Sequence, residues 1–144
     1  MGLEERRQTK QIGDFTYAVT PVPFGVGRKS LVKLIGIVSP VLSAAFKSGD
    51  GRDMIGGVLE ALPTSLSDDD LKYFSDLFGP YSEFQQGGDW IKLTSAQQEI
   101  HFAGRYMDYM KWLVMACEVN YADFFRGIQS GAGLAALTKM AQKA

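Results

Sequence analysis

The sequence has very few of the side chains that most catalytic and metal sites use, since its 144 residues include one cysteine and one histidine. A single cysteine cannot form an internal disulfide bond, and the opening MGLEERRQTK has no apolar stretch that could serve as a signal sequence. We therefore expect a protein of a reducing cytoplasm. No uncharged apolar run reaches the roughly 20 residues that a membrane helix needs, so no membrane span is predicted.

An excess of charge of one sign is also missing, because 15 basic side chains stand against 16 acidic ones. Such a balance gives no field that would attract nucleic acid or an anionic membrane surface, so neither is expected as a partner. The length and an apolar content of 46% are typical of a single globular domain with one core.

Two short segments have the pattern of antiparallel hairpins. The segment FTYAV (15–19) alternates large and small side chains, as a strand does, and Gly13-Asp14 before it suits a tight turn. Residues 8–12 are then expected to pair back on this strand. The segment SEFQQGGDWIKL (82–93) predicts a second hairpin around its Gly-Gly pair.

The remaining patterns are helical. They predict helices over Arg28–Phe46, Met54–Leu62, Ser67–Gly79, and from Thr94 or Ser95 to Val119 or beyond. Proline removes a helical hydrogen bond, so Pro40 predicts a kink or break near Ser39. The predicted fold class is α+β, mainly α, with amphipathic helices packed against one or two short β-hairpins in a single domain over residues 1–127. Residues 128–144 are predicted to form a flexible joint and a short helix.

Three short motifs resemble nucleotide or metal sites, but their spacing does not fit. GVGRKS (25–30) lies between a strand and a helix, where a phosphate-binding loop would lie, yet Arg28 occupies the position of a required glycine. We interpret it as a turn into a helix. SDDD (67–70) favours a helix start, because carboxylates are stabilised near the positive end of the helix dipole. DGRD (50–53) lacks the alternating oxygen ligands of a calcium loop. No cofactor and no metal are predicted.

The segment HFAGRYMDYMKWLVMACEVNYADFF (101–125) contains the single histidine and the single cysteine. On a continuous helix, Cys117 falls on an apolar stripe, whereas His101 falls on a polar arc with Arg105 and Asp108. More than four helical turns separate His101 from Cys117, so they cannot form a catalytic pair. A cysteine within the core stripe is usually inert. We predict no catalytic residue and no enzyme activity.

Apolar residues also project outside that stripe. The predicted core stripe is Ile100, Ala103, Met107, Met110, Val114 and Cys117. A second apolar set projects onto the polar arc or lies just past the end of the helix: Trp112, Met115, Val119, Phe124 and Phe125. Clustered aromatic and methionine side chains at a surface are typical of partner-binding sites, so these five are predicted to bind a partner. The equally open alternative is that a second helix covers them.

Together with FTYAVTPVPFGVGRKSLVKLIGIVSPVLSAAF (15–46), segment 101–125 resembles the tail assembly chaperones of long-tailed bacteriophages and prophages. The resemblance covers roughly residues 9–127, and no firm match is found over residues 54–86. Such chaperones are understood to coat the aggregation-prone tape measure protein, to help recruit tail tube subunits, and to be absent from the finished virion. The resemblance implies a binding protein without catalytic residues that acts in the cytoplasm of the host bacterium.

Three functions from different classes therefore remain open. The favoured one is a tail assembly chaperone whose partners are the tape measure protein, the tail tube protein and, because the surface is nearly neutral, further copies of this chain. The main alternative is a structural component of the tail or its connector that stays in the virion. A small thiol enzyme is third. Copurification with a long helical protein favours the first, presence in purified virions the second, and thiol-dependent turnover the third.

Overall fold

The computed structural model describes residues 2–47 and 62–128, with side chains for 2–40 and 62–127. In chain order the elements are β1 (Gln8–Ile12), β2 (Phe15–Val19), α1 (Phe24–Lys47), α2 (Asp68–Phe78), β3 (Ser82–Gln86), β4 (Asp89–Lys92), α3 (Ser95–His101) and α4 (Tyr106–Ile128). Short 3-10 turns cover Leu3–Arg6 and Gly79–Tyr81. The predictions for DGRD, for residues 54–61 and for the C-terminal segment after Ile128 lie outside the described residues.

Both predicted hairpins are confirmed. Strands β1 and β2 pair with Ile12 opposite Phe15, and strands β3 and β4 pair with Gln86 opposite Asp89. The first turn has Gly13 at φ +59°, and the second has φ +60° and +90° at its two glycines. Positive φ is costly for residues with a side chain, so the glycines determine where each hairpin turns.

The two hairpins join into one antiparallel sheet with the strand order β1-β2-β3-β4. Strand β2 pairs with β3 through Tyr17 opposite Phe84 and Val19 opposite Ser82. The sequence predicted each hairpin separately and did not predict this pairing. Because β2 and β3 are the central strands, their side chains Tyr17, Val19 and Phe84 are buried in the core.

Helix α1 begins at Phe24, four residues before the predicted start, and continues through Pro40. Of the kink or break predicted near Ser39, the break is therefore wrong. The helix is held to the core on the N-terminal side of the proline by Leu34, Ile35 and Val38, all of which are buried, and such packing outweighs local preference. GVGRKS lies in the first turns of this helix.

Helix α2 begins and ends where the sequence predicts. Ser67 is its N-cap, and the Ser67 hydroxyl oxygen accepts a hydrogen bond from the backbone N–H of Asp70 at 3.1 Å. The acidic run Asp68–Asp70 occupies the first turn, as expected for carboxylates near a helix N-terminus. Gly79 follows the last helical residue.

The predicted long helix is wrong in one respect, because it is two helices. Thr94 caps α3 by accepting a hydrogen bond from the N–H of Gln97 at 3.3 Å. The chain then leaves the helical conformation, with Gly104 at φ +75°, before α4 begins at Tyr106. The interruption changes the direction of every side chain before it relative to those after it. As a result, Ile100 and Met107, which were predicted to be core residues, are 73% and 67% exposed.

The core lies between the sheet and the helices, and α4 contacts β1, β2 and α2. Its largest fully buried side chains are Trp112, Tyr17, Phe74, Phe78 and Phe125. The predicted fold class, α+β and mainly α, is confirmed.

Candidate partner-binding site

His101 belongs to the core rather than to a solvated face. It is 5% exposed, its Nε2 lies 2.6 Å from the Tyr17 hydroxyl, and its ring stacks on Phe84 with centroids 3.8 Å apart. Burial lowers the pKa of His101, the nearby Arg105 lowers it further, and Asp108 opposes them. Burial also raises the pKa of Tyr17 to about 12. A neutral imidazole and a neutral phenol therefore share this hydrogen bond, and the prediction that His101 is solvent-exposed is wrong.

Cys117 is buried, as the sequence predicted, and is 1% exposed. Burial, with a smaller contribution from Glu118, raises the pKa of its thiol to about 12. A protonated and inaccessible thiol is neither a nucleophile nor a metal ligand.

Three of the five predicted partner-binding residues are not on the surface. Trp112, Met115 and Phe125 are 0%, 4% and 1% exposed. Helix α4 is covered on several sides, so the arc that was projected as polar is partly core, and the Trp112 ring packs against Phe102 and Tyr109. The expected exposure of these three is therefore wrong.

The other two residues, Val119 and Phe124, are half-buried and line an open groove of about 740 Å³. One wall is the end of α4, the other is the start of α1, and the 3-10 turn at Leu3–Arg6 closes one side. Phe24 also lines the groove and is 79% exposed, and the half-buried Leu31 adds to its apolar lining. We call this feature the α1–α4 groove.

Hydrogen bonds fix the two walls of the groove to each other. The Asn120 Oδ1 accepts from the backbone N–H of Val22 at 2.9 Å, and its Nδ2 donates to the Ala116 carbonyl at 2.8 Å. The Ser30 hydroxyl donates to the Gly27 carbonyl at 2.9 Å and bonds the Tyr121 hydroxyl. Since Ser30 has one proton to give, Tyr121 donates in that pair. The groove is thus preformed.

Sequence reasoning missed Asn120 and Tyr121 as positioning residues. The available signal was their place in the NY pair of NYADFF, beside two predicted partner-binding phenylalanines. Neither residue has a spacing motif, and their partners on α1 and before it lie about 90 to 100 positions away. A local pattern contains no information about such distant contacts.

The rim of the groove has charges of both signs. Its charged residues are Glu5, Arg6, Arg7, Arg28, Glu118, Asp123 and Arg126. A mixed rim over an apolar floor gives no strong preference for a small ion. The geometry is better suited to an elongated apolar segment of another protein.

Comparison with known protein families gives a match over most of the chain. A family profile described as "Phage tail assembly chaperone protein, TAC" matches residues 13–134, which is most of the chain. The chain belongs to this family of phage tail assembly chaperones. The resemblance identified from the sequence is therefore confirmed. No match was found among curated proteins or among solved structures.

The matched region of this tail assembly chaperone includes the α1 and α4 walls of the groove, whereas the turn at Leu3–Arg6 precedes it. Membership of a chaperone family suggests a role without catalysis. Within the described ranges, no group of three or more His, Cys, Asp or Glu side chains is placed to hold a metal ion. No helix in that same part of the chain has both the length and the apolar character needed to cross a membrane.

Proposed function

We propose that this chaperone binds the tape measure protein of a long-tailed phage in the host cytoplasm, keeps it from aggregating and helps recruit tail tube subunits. Family membership supports a role in tail assembly. One observation supports the location of the binding site: the exposed Phe24 lies beside the half-buried Val119 and Phe124 in one preformed groove.

The chemistry of the groove favours an amphipathic helix as its ligand. Such a helix lays its apolar face into a hydrophobic groove, with anchors spaced three and four residues apart. Phenylalanine side chains offer large contact areas and tolerate varied neighbours. The mixed rim does not demand one charge pattern. A site of this kind can bind many non-identical segments of one long protein.

We also propose that copies of the chaperone associate with each other on the tape measure protein. Seven large hydrophobic side chains are exposed in the described part of the chain, among them Phe24, Tyr106 and Met107. The net charge of −1 provides little repulsion between copies.

The test is capture of the tape measure protein encoded by the same phage, coexpressed with wild-type or variant chaperone. Phe24→Ser changes a side chain that is 79% exposed, so it should fold normally and weaken binding about thirtyfold, as a hot-spot residue worth roughly 2 kcal/mol would. Val119→Ala and Phe124→Leu should weaken binding less, because each makes an apolar side chain smaller without placing a polar group in the groove.

Tyr106→Ser is the matched control, since Tyr106 is 72% exposed and lies outside the groove. It should capture a short tape measure segment, which one copy can hold, as the wild type does. Normal capture by a folded Phe24→Ser variant would exclude the groove as the binding site. Detection of the protein as a component of purified virions would instead favour the alternative function, a structural part of the tail.

A further inference from the structure

Three large hydrophobic side chains are exposed together where the long helix is interrupted. Ile100, Tyr106 and Met107 are 73%, 72% and 67% exposed, and they flank the loop between α3 and α4. We call them the junction patch. A cluster of this size on a free-standing domain would normally be polar, so its exposure indicates a contact surface.

An acidic groove borders the junction patch. It has a volume of about 620 Å³, it lies between α2, α3 and the start of α4, and Tyr106 belongs to both features. Its charged lining residues are Asp68, Lys72, Asp76 and Glu99. The Lys72 ammonium lies 3.6 Å from the Asp76 carboxylate, which leaves the charges of Asp68 and Glu99 without a compensating cation in the groove.

The negative charges of this groove also affect the pKa of Tyr109, which is one of its lining residues. Burial raises the pKa of Tyr109, a hydrogen bond from Ser75 lowers it, and the carboxylates of Asp68 and Asp76 raise it further. A surface that is both apolar and acidic selects a partner that carries apolar and basic side chains.

Helix α1 presents the complementary surface. From Phe24 to Lys47 it contains no acidic residue. Its exposed arc outside the α1–α4 groove contains Val26, Lys29 and Val32, which we call the basic face. Lys33 is already engaged, because its ammonium lies 3.6 Å from Asp70 of α2. Lys29 has no ion-pair partner among the residues that the structure describes.

We propose that the acidic groove and junction patch of one copy bind the basic face of a second copy. The two surfaces lie on different elements, the basic face on α1 and the acidic groove on α2, α3 and the start of α4. Because the two surfaces differ, the contact is head-to-tail and can be repeated from copy to copy. This interface requires that copies of the chaperone associate, as proposed above, but it does not require binding of the tape measure protein.

Charge reversal followed by sedimentation velocity tests the interface. Lys29 and Glu99 are both exposed, and Glu99→Lys places a cation near the end of α3, where the helix dipole favours it, so both variants should fold. Each alone should weaken self-association about tenfold at low salt. The double variant should restore it. Lys10→Glu on strand β1 changes an exposed residue that lines neither groove; it is the control and should associate as the wild type does.

An equimolar mixture of the two single variants gives the sharpest result. Unlike variants then present opposite charges to each other at both surfaces, as copies of the double variant do, so the mixture should associate as the wild type does although each single variant alone does not. Wild-type-like association of both single variants, or failure of the double variant to recover, would overturn the interface while leaving self-association intact. A wild type that stays monomeric at the highest concentration would overturn both. Loss of tape measure binding by Phe24→Ser is measured separately and does not depend on any of these outcomes.

Discussion

Trp112 is the largest fully buried side chain in the described core, at 0% exposure, and its indole Nε1 has no hydrogen-bond partner among the described residues. The aromatic body stabilises the fold by packing, whereas the buried N–H opposes it through lost hydration. The residue that the helical projection favoured as a surface anchor is thus a central packing residue.

Trp112→Ala is expected to lower the free energy of unfolding by about 3–5 kcal/mol, because a large cavity remains in the core. Trp112→Phe should cost clearly less, since it keeps an aromatic ring and removes a donor that has no partner. Urea unfolding measures both. Trp90→Ala is the matched control, because Trp90 is half-buried on the edge strand β4 under Arg7 at 4.5 Å. Equal losses for Trp112→Ala and Trp90→Ala would contradict the core assignment.

His101 predicts a pH dependence of stability whose sign follows from its lowered pKa. The unfolded chain binds a proton near pH 6.5, as an ordinary histidine does, whereas the folded chain binds it only at lower pH. The stabilisation is therefore complete above about pH 6.5 and is lost as the pH falls through this value toward the folded pKa.

Urea unfolding between about pH 7.5 and 5.5 tests this, since carboxylates remain largely ionised over that range. We expect the wild-type midpoint to fall as the pH is lowered. His101→Phe keeps the stacking on Phe84 but removes the titrating group, so its midpoint should change much less. Identical slopes for wild type and variant would show that His101 is not the responsible group.

Some features of the helices and strands are determined by nearby residues, whereas others depend on contacts between residues far apart in the chain. Gly13-Asp14 and Gly87-Gly88 predicted the two hairpins, and Ser67 and Gly79 predicted both ends of α2, because these residues act within a turn. The pairing of β2 with β3 depends on residues far apart in the chain, such as Tyr17 and Phe84, and no local pattern reports it. The burial of Trp112 depends in the same way on how α4 packs.

The helix is interrupted at Gly104, and this explains why the exposure predicted for Ile100, His101 and Met107 was wrong. A single glycine inside a helical pattern is compatible with a continuous helix, so the positive φ of this residue could not be read from the sequence. Of the predicted site, Val119 and Phe124 are half-buried and line the α1–α4 groove, whereas Tyr121 and Phe125 on the same part of α4 are buried in the core.

A pair of glycine substitutions tests the role of this interruption. Gly104 has φ +75° with nothing near the position of an added Cβ, so Gly104→Ala should cost about 1–2 kcal/mol from backbone strain alone. Gly36 lies inside α1, is exposed and also has open space around it, so Gly36→Ala should stabilise by roughly 0.5–1 kcal/mol. Thermal unfolding should give opposite signs. A shift of the same sign for both would show that the φ of Gly104 is not the constraint.

At the scale of the whole molecule, the α1–α4 groove and the acidic groove lie near opposite ends of α4. This arrangement would let one copy hold a tape measure segment at one end while its neighbour is held at the other. The two proposed activities should therefore be separable by mutation.

We expect Phe124→Leu, which changes the α1–α4 groove, to sediment like the wild type while it captures less tape measure protein. Glu99→Lys should show the reverse, with normal capture of a short tape measure segment and weakened association between copies. Cosedimentation and capture with the same protein preparations measure both. Parallel loss of both activities in either variant would indicate one shared surface.

The central pairing of the sheet also has a consequence for synthesis on the ribosome. Val19 and Ser82 pair across about 60 residues of chain, and closing a loop of this length carries an entropic cost that local hairpins do not have. The first hairpin can form as soon as it emerges, but its inner edge stays open until β3 has been translated. During that interval the edge of β2 can pair with other extended chains. Slow translation of residues 20–81 would therefore be expected to lower the yield of folded chaperone, whereas slow translation after Lys92 would not.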